Sequence, residues 1–100
     1  MGHLTDAEFR DLVLDVLDFM EDHSYPRTAV DDVRGIWQDD AGAAFCILLS
    51  DLPQRGVRLP SQLWDRVRAE LDDPENYGAF AEYAPAITAF QEGPPAADAA

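Results

Sequence analysis

The fold of the chain is decided by the stretch TDAEFRDLVLDVLDFM at residues 5–20. Its apolar residues recur at three- and four-residue spacing, as on the buried face of an amphipathic helix. They are Phe9, Leu12, Val13, Val16, Leu17 and Met20. Thr5 and Glu8 fit a capping box, in which each side chain accepts a hydrogen bond from the other residue's backbone N–H. The sequence therefore predicts a helix over residues 6–22 with one face buried.

Helical spacing of apolar residues returns in three further segments. One begins after Thr28, a candidate N-cap, and another after Ser61, a second candidate N-cap. The last covers residues 75–91 and is expected to be kinked or split at Pro85, because proline lacks the N–H that an interior helical position uses.

The run AAFCILL at residues 43–49 is continuously apolar and fits two structures. It could form a buried strand paired with residues 34–38, or a buried helix capped by Asp39 or Asp40 and running to Leu52. We favour the helix, because the apolar positions keep helical spacing as far as Leu52.

These elements predict an all-α fold, a small bundle of four to five short helices with a disordered C-terminal tail. We expect residues 1–92 to form a single helical domain and residues 93–100 to be a flexible tail. The N-terminus lacks the basic and apolar regions of a signal peptide. The chain also has no run of 18 apolar residues, so we expect no membrane-spanning helix.

The composition is strongly acidic: 20 acidic residues face seven basic ones, and the net charge is −13. All seven basic residues are arginine. This charge argues against binding DNA, RNA or an anionic membrane, since each requires a cationic face. One cysteine cannot form an internal disulfide, which is compatible with a cytoplasmic location.

Part of the negative charge forms a row on the first predicted helix. Spacings of four, three and four residues place four aspartates on one side of it, with a glutamate at the head of the row. We term these residues the acidic stripe: Glu8, Asp11, Asp15, Asp18 and Asp22. Like charges at this spacing cost about 0.2–0.5 kcal/mol per pair. The stripe is interpreted either as a docking surface for a basic partner or as a solvated face in an acid-rich chain.

Residues that could carry other chemistry are few. The sequence contains no His-x-x-x-His, Cys-x-x-Cys, EF-hand or Gly-rich phosphate motif, so no catalytic residue, metal or cofactor is predicted. Cys46, Trp37 and Trp64 fall in apolar runs or faces and are interpreted as core residues. Tyr25, in a turn beside Pro26, is expected to be exposed and is a candidate anchor for a partner.

Two stretches resemble bacterial immunity proteins. Residues 30–71 contain VDDVRGIWQ, an acidic break with a glycine, the run AAFCILLSDL and then GVRLPS before a last helix. This succession resembles small immunity proteins of the MafI type, which are encoded beside polymorphic toxins. TDAEF at residues 5–9 is similar to the first helix of colicin-type DNase immunity proteins, although the Tyr-Tyr-Pro segment of that family is missing. The resemblance implies a bacterial toxin inhibitor and transfers no individual functional residue.

The favoured hypothesis is an immunity protein that binds and neutralises a toxin domain, such as a nuclease, through its acidic surface. The aspartates of the stripe would meet lysine and arginine on the toxin, with Tyr25 as an anchor. An alternative of the same kind is a DNA mimic that inhibits a nucleic-acid-binding protein. A different alternative is a small accessory subunit of an enzyme complex, held by an apolar face. An enzyme is the least favoured class.

Overall fold

A computed structural model describes residues 4–73 and 80–93 of the chain, and these residues form an all-α bundle. The helices are α1 (Asp6–Glu21), α2 (Arg27–Asp39), α3 (Ala41–Gln54), α4 (Ser61–Asp72) and α5 (Ala84–Glu92). The predicted bundle of four to five short helices is therefore confirmed. Residues 94–100 of the predicted tail lie outside the described residues. None of the described helices is both long enough and apolar enough to cross a membrane.

Helix α1 begins with the predicted capping box. The Thr5 hydroxyl accepts from the backbone N–H of Glu8 at 3.1 Å, and the Glu8 carboxylate accepts from the backbone N–H of Thr5 at 2.9 Å. The helix ends at Glu21, one residue before the predicted end. Beyond it, Ser24 adopts the left-handed region with φ 74° and turns the chain toward α2.

Both predicted N-caps after the first helix are wrong. The N-cap positions of α2 and α4 are occupied by Pro26 and Pro60, so Thr28 and Ser61 lie inside the first turns. Proline suits a helix entrance because the N–H it lacks would have no partner there and its φ is already helical. For the same reason Pro85 lies at the start of α5, so the last predicted helical segment is split there.

The apolar run at residues 43–49 lies within α3, as the favoured interpretation predicted. Asp40 is the N-cap of this helix, and its carboxylate accepts from the backbone N–H of Ala43 at 3.1 Å. The helix contributes the largest set of buried side chains to the core, which are Ala41, Ala44, Phe45, Leu48, Leu49 and Leu52. Phe45 lies fully buried at the centre, where its ring meets Phe9 of α1 and Phe80 edge to face.

We expect Asp40→Ala to lower the free energy of unfolding by about 1 kcal/mol, because the amino end of α3 loses its side-chain cap. The matched control is Asp39→Ala. Asp39 is the last residue of α2 and lies two positions before the start of α3, where the effects of the two helix dipoles oppose each other. Its replacement should change stability by less than about 0.5 kcal/mol. Urea denaturation followed by circular dichroism measures both, and equal losses would contradict the assignment of Asp40 as the cap.

The two tryptophans differ in burial. Trp64 is buried, which confirms its interpretation as a core residue, and its indole N–H donates to Glu92 of α5 at 3.0 Å. Trp37 is only half-buried: its indole N–H donates to the Arg10 carbonyl at 3.0 Å, and the Arg10 guanidinium lies 4.2 Å from the ring centroid. Each indole therefore joins two helices through a polar contact as well as through packing.

Helix α5 is held to the connector between α3 and α4 by polar contacts at its carboxyl end. The Gln91 side chain donates to the Val57 carbonyl and accepts from the Leu59 N–H, both at 2.9 Å. Arg58 donates to the Gly93 carbonyl at 3.0 Å. A short helix with a single fully buried side chain, Ile87, is in this way fixed to the bundle.

Candidate acidic docking surface

The acidic stripe lies on the solvent face of α1. All five of its residues are exposed, whereas Val13, Val16 and Leu17 on the other face of the helix are buried. The arrangement follows from the helical repeat, since packing one face into the core turns the residues between the apolar positions outward. The predicted grouping of these carboxylates on one face is therefore present in the fold.

Arginines from two neighbouring helices pair with the middle of the stripe. Arg66 of α4 lies 2.8 Å from the Asp15 carboxylate, and Arg34 of α2 lies 3.1 Å from that of Asp18. Arg34 also lies 3.6 Å from Glu21, which borders the stripe. Sequence reasoning missed these pairs because the partners are 51 and 16 residues apart along the chain. The centre of the stripe is consequently less negative than a row of aspartates suggests.

The two ends of the stripe keep their negative charge. Among the residues that the structure describes, no arginine pairs with Asp11 or with Asp22. The eleven-residue separation places them about 16 Å apart along the helix axis. Glu8, at the head of the stripe, has no arginine partner among the described residues either. The surface therefore presents three carboxylates without an arginine partner, and two exposed ion pairs lie between Asp11 and Asp22.

A groove of about 280 Å³ lies beside one end of the stripe, between α1 and α4. Glu8, Asp11 and Arg66 line it, together with Leu4, Ala69 and the buried Glu70. A partner side chain entering this groove would meet carboxylates next to apolar surface, which suits the aliphatic stem and charged head of arginine or lysine.

Tyr25 is buried, and the expectation that it is exposed is wrong. Only 6% of its surface is accessible; its hydroxyl donates to Asp51 at 2.5 Å, and the Arg55 guanidinium lies 4.9 Å from the ring centroid. The backbone explains the burial, because the left-handed turn at Ser24 lets the Tyr25 N–H bond the Met20 carbonyl and directs the ring inward. Burial, and then the hydrogen bond to Asp51, raise the pKa of Tyr25. The side chain contacts Asp51 and Arg55 near the carboxyl end of α3 and leaves little surface open to a partner.

Within residues 4–73 and 80–93, no three His, Cys, Asp or Glu side chains are grouped so that they could hold a metal ion. Cys46, interpreted from the sequence as a core residue, is half-buried on the outer side of α3. Burial, followed by the negative charges of Asp40 and Glu82, raises the pKa of its thiol. A thiol with a raised pKa is a poor nucleophile at neutral pH.

The chain matches no model of a protein family, no curated protein and no solved structure.

Proposed function

We propose that the chain is an immunity protein that binds a basic toxin domain and blocks it, with the acidic stripe as the contact surface. The observation that carries the proposal is the exposed face of α1, on which five carboxylates point to solvent and three of them have no arginine partner among the described residues. The loose resemblance of residues 30–71 to MafI-type immunity proteins agrees with this function.

Charge gives the proposed function a physical mechanism. A net charge of −13 attracts a basic domain over a distance, and complementary charges raise the rate of association. Nuclease toxins are suitable partners because their substrate clefts carry the positive charge that holds nucleic acid. Rapid capture protects a cell that makes its own toxin.

The ion pairs within the stripe would make binding selective for strongly basic partners. Exposed pairs contribute only about 0–1 kcal/mol to stability, so Arg34 and Arg66 can exchange partners at little cost. A toxin lysine or arginine that approaches Asp15 or Asp18 would displace these side chains. The two arginines therefore reduce attraction to weakly basic proteins while leaving the ends of the stripe available to a strongly basic one.

The test uses the product of a toxin-like reading frame adjacent to the gene, first by rescue of growth on co-expression and then by stopped-flow association. We expect the double variant Asp11→Asn, Asp22→Asn to lower affinity about tenfold, or about 1.4 kcal/mol, at low salt. The salt dependence of association should become shallower, since fewer charges are then screened.

The matched control is Asp32→Asn with Asp65→Asn, which changes the net charge equally at exposed positions outside the stripe. The loss of binding free energy in this control should be less than a third of the loss in the stripe variant. Arg34→Gln with Arg66→Gln should act in the opposite direction and speed association, because Asp15 and Asp18 then lose their internal partners. Equal losses in both aspartate variants would mean that net charge alone matters, and the stripe would not be the contact surface.

A further inference from the structure

The outer face of α3 carries no charge in a chain that is otherwise rich in carboxylates. From Ala41 to Ser50 the sequence has no charged residue. The half-buried residues of the helix are Gly42, Ala43, Cys46, Ile47, Ser50, Asp51 and Pro53, of which only Asp51, the acceptor for the Tyr25 hydroxyl, is charged. We term the six uncharged residues the α3 outer face. Because α3 packs against the buried side of α1, the α3 outer face and the acidic stripe lie on different sides of the bundle.

The neighbouring helices extend this uncharged surface. On one side, a groove of about 350 Å³ runs between α3 and α5, with Leu49, Pro53, Tyr83 and Ala86 in its lining. On α2, which packs against α3, Ile36 is 36% exposed, more than any other large hydrophobic residue among those described. The uncharged surface of α3 therefore continues into a concave element at α5, and the helix packed on α3 adds an exposed hydrophobic side chain.

Carboxylates border the uncharged surface, whereas the exposed Arg55 lies at the carboxyl end of α3. Glu82 lines the groove at the α5 side, and Asp40 lies at the amino end of α3. Burial first, and then the negative charges of these two residues, raise the pKa of the Cys46 thiol on the α3 outer face. Asp32, one helical turn before Ile36, adds an exposed carboxylate on the α2 side. An apolar centre with an acidic rim complements an apolar stripe with basic flanks.

The charge of the rim argues against a second copy of the chain as the occupant, because a second copy would bring two acidic rims together. A single helix with basic residues beside its apolar stripe meets the rim with opposite charge.

We propose that the α3 outer face and the α3–α5 groove bind an amphipathic helix of another protein, whose apolar stripe is flanked by lysine or arginine. The apolar side of that helix would cover Ile47, Pro53 and Ala86. Its basic flanks would pair with Glu82 and Asp32. This site is separate from the acidic stripe and does not depend on the function proposed above.

The test uses a synthetic helical peptide of about 18 residues, or about five turns, built from leucine and lysine with all leucines on one face. Two controls are a peptide of the same composition in a non-amphipathic order and an amphipathic peptide with glutamate in place of lysine. Fluorescence anisotropy at physiological ionic strength should give micromolar binding of the first peptide. Each control should bind at least about tenfold more weakly.

Variants then locate the peptide. Ala86→Lys and Ile36→Lys place a positive charge at exposed positions of the surface, and each should weaken binding about tenfold. Gln62→Lys, at an exposed position of α4, adds the same charge elsewhere and should change binding less than about twofold. The stripe variant Asp11→Asn, Asp22→Asn should have an equally small effect. Circular dichroism of each variant verifies the helical fold before binding is compared.

Three results would overturn the proposal. The first is equal binding of the amphipathic and non-amphipathic basic peptides, which would mean unspecific attraction to a negative chain. The second is an equal loss of affinity for the peptide in Ala86→Lys and in Gln62→Lys. The third is a mass that rises with concentration in analytical ultracentrifugation and falls back to the monomer in Ile36→Lys, since a second copy would then cover the surface. Failure of the basic amphipathic peptide to bind would overturn the proposal as well. It would leave the toxin-binding proposal unaffected, because that proposal is tested through the stripe.

Discussion

Replacement of Phe45 by alanine should lower the free energy of unfolding by about 3–5 kcal/mol. The ring is fully buried, and its centroid lies 5.3 Å from that of Phe9 and 5.0 Å from that of Phe80. Removing it leaves a cavity bordered by rings from separate parts of the chain, which cannot close without moving α1 relative to α3. Domains of this size have a total stability of about 5–15 kcal/mol, so the variant would be close to unfolding.

Urea denaturation followed by tryptophan fluorescence and circular dichroism measures this loss. The matched control is Phe90→Ala, since Phe90 is only half-buried on α5 and the Arg58 guanidinium lies 5.1 Å from its ring centroid. The control should lose less than half as much stability, because water already reaches part of its ring. If the two variants were equally destabilised, the assignment of Phe45 to the centre of the core would be wrong.

The second large effect is expected at Tyr25. Tyr25→Phe should lower the free energy of unfolding by about 1.5–3 kcal/mol at neutral pH, because its hydroxyl donates to the Asp51 carboxylate and hydrogen bonds to charged groups are the stronger kind. The same variant keeps the ring and its contact with Arg55, so the loss reports the hydroxyl alone. Tyr83→Phe is the control at a half-buried tyrosine.

The Tyr25 hydroxyl should also make stability sensitive to alkali. Burial and the hydrogen bond to Asp51 hold the pKa of Tyr25 above its ordinary value. In the unfolded chain the phenol ionises near pH 10, whereas in the folded chain it stays protonated. The contribution of the Tyr25 hydroxyl to the free energy of unfolding is therefore fully present below about pH 10. As the pH rises further it is lost, by up to about 1.4 kcal/mol per pH unit. In Tyr25→Phe this part of the pH dependence should disappear.

The composition makes the measurement unusually clear. The chain has no lysine, so no lysine ammonium titrates in the same range. The thiol of Cys46 also has a raised pKa in the folded chain. Its ionisation therefore lowers the free energy of unfolding as well, once the pH rises above the pKa of about 8.5 that the thiol has in the unfolded chain. The free energy of unfolding is therefore compared with and without Tyr25→Phe in a chain that also carries Cys46→Ala, between about pH 8 and pH 11. An unchanged slope above pH 10 in Tyr25→Phe would show that another group is responsible.

Helix α1 and the exposure of the acidic stripe could be predicted because both depend on one short stretch of sequence. The capping box of Thr5 and Glu8 is local, and the same periodicity that buries Leu12 and Leu17 turns the aspartates outward. The burial of Tyr25 could not be predicted, since it depends on a left-handed conformation at Ser24, a residue type that rarely adopts it.

The helix entrances at Pro26 and Pro60 have a local signal, because a proline directly before an apolar-periodic segment is typical of a helix start. Thr28 and Ser61 are also residue types that cap helices, and residue type alone does not decide which of two nearby positions precedes the first turn. The pairs of Arg34 and Arg66 with the stripe had no local signal, because they depend on how α2 and α4 pack beside α1. The contacts of Gln91 with the connector at Val57 and Leu59 are of the same kind.

The separation of the acidic stripe from the α3 outer face makes the two proposed contacts compatible with each other. Because they lie on different sides of the bundle, a partner bound to α1 leaves the outer side of α3 open. The bundle would then act as a bridge that holds a basic domain on one side and a helix of another protein on the other. Because the two surfaces share no residue, a substitution in one is expected to leave binding at the other nearly unchanged.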